Sequence, residues 1–96
     1  MDKQYIDNCK YLLLARCSCL EHNLDPSRIH SAVRFADKLL KITPKDAFSW
    51  SEFENIEKYL ELYCFGIFMG DLEWSRESVR NIEKIASDTT ECTFLF

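Results

Sequence analysis

SWSEFENIEKYLELYCFGIFMGD, residues 49–71, decides the fold. Ser49, with Glu52 three residues on, fits the S-x-x-E capping box. In that arrangement the hydroxyl and the carboxylate each satisfy a backbone N–H that a helix start leaves open. Beyond it Phe53, Ile56, Leu60, Tyr63, Cys64 and Ile67 recur at intervals of three and four. That spacing gathers apolar side chains along one side of a helix. Gly70 supplies the residue that ends a helix in left-handed backbone, and Asp71 stands where the next helix needs a cap. The stretch predicts a helix over about 50–69 that turns at once into another.

Outward from it, Leu72, Val79, Ile82, Ile85 and Ala86 give a fourth helix over about 72–87 its inner face. Upstream, Asp25-Pro26 opens a helix, because Asp caps well and Pro in the first turn has no hydrogen bond to lose. It runs to about residue 42, with Ile29, Val33, Ala36 and Leu40 inward and Ala32, Phe35 and Leu39 beside them. Thr43-Pro44 stops it, since the residue before Pro is pushed out of the helical region. A first helix covers about 3–22 on the stripe Ile6, Cys9, Leu13, Cys17 and Leu20; Tyr11, Leu12 and Leu14 widen it, which predicts a central position. The last residues, through Phe94-Leu95-Phe96, are apolar and non-periodic and are expected to fold back onto the helices or into a partner. With two Gly and two Pro in 96 residues, there is little punctuation for strands. The sequence predicts one all-α domain over 1–96, a four-helix bundle-like array with sequential helices as antiparallel neighbours and an apolar C-terminal tail packed against it. A less regular array centred on the third helix is the other arrangement.

Composition narrows the function classes. The chain carries 16 Asp and Glu against 12 Lys and Arg, a formal net charge of −4. A phosphate-binding protein needs a basic stripe, and Arg28, Arg34, Lys38, Lys41 and Lys45 are spaced as on any solvated helix face. A nucleic-acid role therefore ranks last. Apolar runs fall short of the ~20 residues that span a bilayer, and residues 1–5 lack the pattern of a secretory leader. Five irregularly spaced Cys do not form a disulfide framework. These features predict a soluble, reduced, cytoplasmic protein.

Catalytic and metal chemistry find little purchase. Cys17, Cys19 and His22 invite a zinc reading, but positions 17 and 19 lie about 200° apart on a helix and cannot share an ion. Cys9, Cys17 and Cys64 sit on apolar stripes, where a thiol behaves as a small hydrophobe. The spacing of Arg16 and His22 is similar to that of HEPN-type helical ribonucleases, yet six helical positions rotate about 240° and separate the pair. Glu54, Glu57 and Glu61 share a face, which is the ordinary pattern of a solvated surface. No phosphate-cradling loop, nucleophile elbow or HExxH motif is present. No enzyme, cofactor or metal is expected.

What stands out is how the charge is distributed. Residues 49–96 hold ten acidic residues against four basic, whereas residues 1–48 are slightly basic. Between Ser49 and Ser75, Glu52, Glu54, Glu57, Glu61, Asp71 and Glu73 face only Lys58, among Trp50, Tyr59, Phe65, Phe68, Met69 and Trp74. On the third helix Leu62, Phe65 and Met69 project away from the core stripe, on the side of Glu54, Lys58 and Glu61. An outward apolar patch needs a cover, from the chain itself or from a partner. The expected partner-binding set is Glu54, Glu57, Glu61, Asp71 and Glu73, with Trp50, Phe65, Met69 and Trp74 as anchors. Carboxylates would steer a basic protein inward and aromatics would hold it. In size, charge and helical character the chain is similar to bacterial immunity proteins and antitoxin-like inhibitors, which implies neutralisation of a basic partner such as a nuclease toxin. A helical adaptor or regulatory subunit, homodimeric through Leu62, Phe65 and Met69, is the alternative.

Overall fold

A computed structural model describes residues 3–43 and 45–88. Four helices carry the chain: α1 (Lys3–His22), α2 (Ile29–Ile42), α3 (Trp50–Met69) and α4 (Leu72–Asp88), with no strand among the described residues. The all-α, bundle-like expectation is met, and the expected tail of residues 89–96 lies outside the described residues.

Local chemistry sets each boundary. Ser49 Oγ accepts from the Glu52 N–H at 3.2 Å, and Glu52 Oε1 accepts from the Ser49 N–H at 2.9 Å. The capping box is therefore complete. Gly70 adopts φ 76°, where a side chain is disfavoured, and its N–H donates to the carbonyls of Gly66 and Ile67. Asp71 Oδ1 then accepts from the Trp74 N–H at 3.1 Å and starts α4. Asp25 accepts from the Ser27 N–H at 3.0 Å, and that hydrogen bond holds its carboxyl below the usual range. It opens a short 3₁₀ turn over Pro26–Arg28, so α2 proper begins three residues later than the sequence suggests. Thr43 is extended, as a residue preceding Pro44 should be.

Packing corrects the expected topology. α3 and α4 form a tight antiparallel hairpin; α1 lies along α4, α2 along α3, and α1 barely meets α2. Sequential neighbours therefore hold for α2–α3–α4 and fail for the first pair. The reason is the segment between Asn23 and Arg28, which carries the chain from α4 over to α3, its short turn lying against α3. Tyr63 fixes that crossing: its hydroxyl donates to the carbonyls of Leu20 at 3.1 Å and Asn23 at 2.9 Å. Burial of the ring raises the phenol's pKa, which keeps it a donor.

Two face assignments also change. α1 buries Cys9, Leu13, Cys17 and Leu20 as expected, but Tyr11 and Leu12 are exposed, so α1 is peripheral rather than central. α2 buries Ala32, Ala36 and Leu39, while Val33 is 49% exposed. Its inner face is rotated toward the small residues, which let α2 settle closely on α3. In α4 the sequence reading misses Ser75 and Ser78, both buried with their hydroxyls donating to the carbonyls of Tyr63 and Trp74.

Candidate functional site

α3 has an inner side committed to the core and an outer side left to solvent. Phe53, Ile56, Leu60, Tyr63, Gly66 and Ile67 are buried. The outer side changes character along its length. Glu54, Glu57, Lys58 and Glu61 occupy the first three turns and are exposed. Phe65, Phe68 and Met69 occupy the last two, 45%, 70% and 60% exposed. These three stand at i, i+3 and i+4, so they form one apolar face. Trp74, 40% exposed, adds the first turn of α4, with its ring edge-on to Phe65 at 5.5 Å between centroids.

The expected partner-binding residues thus separate into groups. Phe65, Met69 and Trp74 are brought together with Phe68, which is outside the expected partner-binding set although its i+3 relation to Phe65 is visible in the sequence. Leu62 is only half-exposed. Glu54, Glu57 and Glu61 continue the same face, with Lys58 among them. Trp50 is the most exposed aromatic of the set at 76%, but lies nineteen residues before Met69, about 28 Å along the helix. It does not join the cluster.

Asp71 and Glu73 are engaged locally. Asp71 caps α4, as described above. Glu73 meets Arg80 at 3.4 Å and Arg76 at 3.7 Å, all exposed, so its charge is locally balanced. Among the described residues Glu54, Glu57 and Glu61 of α3 have no ion pair, so the unbalanced acidity lies on α3 rather than at Glu73. Several of the basic residues also have neighbours: Lys41 pairs with Asp37 at 3.0 Å, and Lys45 lies over the Phe53 ring.

Beside the carboxylates, an open groove of about 330 Å³ runs between α2 and α3. Ala36, Leu40 and Leu60 line it with the half-exposed Val33, and Asp37, Glu57 and Glu61 stand along it. Cys64 closes one end, its thiol 3.9 Å from the Ala32 carbonyl. Burial, and then the charge of Glu61, push that thiol up to about 11, so it is protonated at neutral pH. The groove follows from the rotation of α2, which leaves Val33 half-exposed along it instead of inward, where the sequence pattern points.

A second depression, about 430 Å³, lies between α1 and α4 and is lined by Leu14, Ala15, Ser18, Glu21 and Glu83. Burial raises the pKa of Glu83, and the charge of Glu21 and a hydrogen bond with it raise it further, against Arg80. Nearby Cys17 is fully buried and pushed up to about 12, while Cys19 is exposed. The two thiols point apart, as their helical spacing requires. Arg16 and His22 both lie on α1, six positions apart, with His22 exposed in its last turn.

No described helix is long and apolar enough to cross a membrane. Comparison with protein-family models, curated proteins and solved structures found no match for this chain.

Proposed function

We propose that the chain is a small acidic protein-binding module whose outer α3 face docks a basic protein. In its most specific form it is an inhibitor that covers a cationic cleft, as an immunity protein or antitoxin covers a nuclease toxin. One observation carries the reading: carboxylates Glu54, Glu57 and Glu61 run directly into the exposed cluster Phe65, Phe68, Met69 and Trp74. Four large apolar side chains left together in water are costly, and such clusters mark contact surfaces. The carboxylates supply steering and partner choice, and the aromatics supply the desolvated centre. A second reading, self-association as a regulatory subunit, draws on the same cluster, because its four side chains are all apolar.

Affinity capture from the native host, with the intact chain as bait, tests the proposal. A basic protein should be enriched by the wild-type chain and lost with Phe65→Ser/Phe68→Ser, both exposed positions whose exchange spares the core. Recovery of acidic proteins only, or equal recovery by the double variant, would sink the docking face. A dimer in sedimentation that the double variant dissociates would favour self-association.

A further inference from the structure

We infer that the partner element seated on this face is a basic amphipathic helix lying in the α2–α3 groove. The inference rests on the docking reading above and specifies what docks.

The groove itself selects among recognition modes. Strand addition needs a free sheet edge, and no strand exists among the described residues. Polyproline ligands need an aromatic-lined groove, whereas the floor here is aliphatic, built from Val33, Ala36, Leu40 and Leu60. Small-molecule sites enclose most of their ligand and present convergent polar groups. This groove is open rather than enclosing, and no buried side-chain nitrogen or oxygen among the described residues lacks a hydrogen bond, so its charged groups are the carboxylates of Asp37, Glu57 and Glu61 along its walls. What remains is a helix laid alongside two antiparallel helices, as a further member of the array. Val33 to Leu40 on one wall and Glu57 to Cys64 on the other each cover eight residues, a rise of about 10 Å or two turns. That length matches apolar anchors at i, i+3 or i+4, and i+7 of an incoming helix.

Charge complementarity fixes the rest. Glu57 and Glu61 stand on the α3 wall without an ion pair among the described residues. Asp37 stands on the α2 wall, partly answered by Lys41. Lys or Arg flanking the apolar stripe of an incoming helix would meet Glu57 and Glu61, whereas an acidic helix would be repelled. One turn beyond Cys64, Phe68 continues the groove side of α3 toward the exposed cluster, so a longer helix reaches both.

The test is titration of the intact chain with three synthetic helices of equal length: Lys/Leu with an apolar stripe, Glu/Leu with the same stripe, and Lys/Ser with none. Only the Lys/Leu helix should bind, shifting backbone amide resonances along Ala32–Leu40 and Glu57–Cys64. Val33→Arg fills the groove from an exposed position and should weaken binding at least tenfold. Glu57→Lys/Glu61→Lys, also at exposed positions, should do the same, so one misfolded variant does not decide the matter. Binding insensitive to both variants but lost with Phe65→Ser/Phe68→Ser overturns the groove and leaves the docking face standing. Equal binding of Lys/Ser, or no helix bound while a native partner is still captured, overturns the inference alone. Failure of both helix binding and native capture removes inference and docking face together. Lys/Leu binding that appears only after residues 89–96 are deleted assigns the groove to the chain's own C-terminus. A dimer that Val33→Arg dissociates assigns it to a second copy, and each of these also overturns the inference.

Discussion

At Gly66 the two central helices touch through backbone. A Cβ placed there would collide with Ser75 Oγ and lie 3.0 Å from the Asp71 carbonyl and the Ser75 nitrogen. Ser75 is fully buried, and its hydroxyl donates to the Tyr63 carbonyl at 2.8 Å, so it has no free space to retreat into. Two effects compete on Gly66→Ala. Helix propensity favours Ala by about 1 kcal/mol, while overpacking a tight contact costs about 1–3 kcal/mol, with the displaced hydrogen bond adding about 1 kcal/mol. The collision wins, and Gly66→Ala should destabilise by about 1–3 kcal/mol in urea unfolding. Adding Ser75→Ala removes the nearest obstacle, so the double variant should lose less than the sum of the single losses. Additive losses would show that the crossing is not where the two residues meet. Neither residue is legible as a contact: Gly66 lies inside the apolar run Tyr63–Met69, and a buried Ser looks like any surface Ser. Cys9 and Cys17, by contrast, were legible as core because their spacing alone places them on the α1 stripe.

At the scale of elements, caps were read almost to the residue because their chemistry is local: Ser49 with Glu52, Asp25, Gly70 and Asp71 each act within three or four positions. Helix faces were less legible. On α2 the pattern turns Ala36 inward with Ala32 and Leu39 beside it, and all three are buried, but Val33, turned inward by the same pattern, is exposed, because close approach to α3 rewards small residues. The pairing of α1 with α4 was invisible too, and it creates the meeting of Glu21 and Glu83. Burial, the charge of Glu21 and a shared hydrogen bond raise the Glu83 pKa in the folded chain. A raised carboxyl pKa means that the native state binds the proton more tightly than the unfolded state. Its contribution is therefore favourable below the ordinary glutamate pKa and is lost as pH rises through the folded value. At neutral pH the chain bears the cost of a partly buried carboxylate beside another. Glu83→Gln should raise stability at about pH 7 relative to wild type, and the gain should vanish near pH 4. Urea unfolding of both proteins at the two pH values checks this. An equal difference at both would mean that the variant acts through packing and not through charge.

For the whole molecule, the acidity of the second half resolves into unequal parts. On α4, Glu73 is balanced by Arg76 and Arg80, whereas on α3 Glu54, Glu57 and Glu61 face outward with only Lys58 among them. That distinction was beyond the sequence, because charges seven apart on α4 meet only through the reach of their side chains. It decides where long-range attraction acts. Each Glu→Lys exchange adds two units of charge, so exchanging Glu54, Glu57 and Glu61 carries the net charge from −4 to +2. All three positions are exposed and make no contact that the core depends on, so the helical content and unfolding midpoint should change little. Association with a basic partner should slow about tenfold or more at low salt, with a smaller change in dissociation. Screening shortens the range of the field to about 8 Å at physiological ionic strength. The wild-type on-rate should therefore fall steeply as salt rises, while that of the triple variant stays flat or climbs. Stopped-flow association at several salt concentrations separates the two behaviours. Parallel salt dependence in a correctly folded triple variant would move the steering charge off α3 and leave only the aromatic cluster to define the surface.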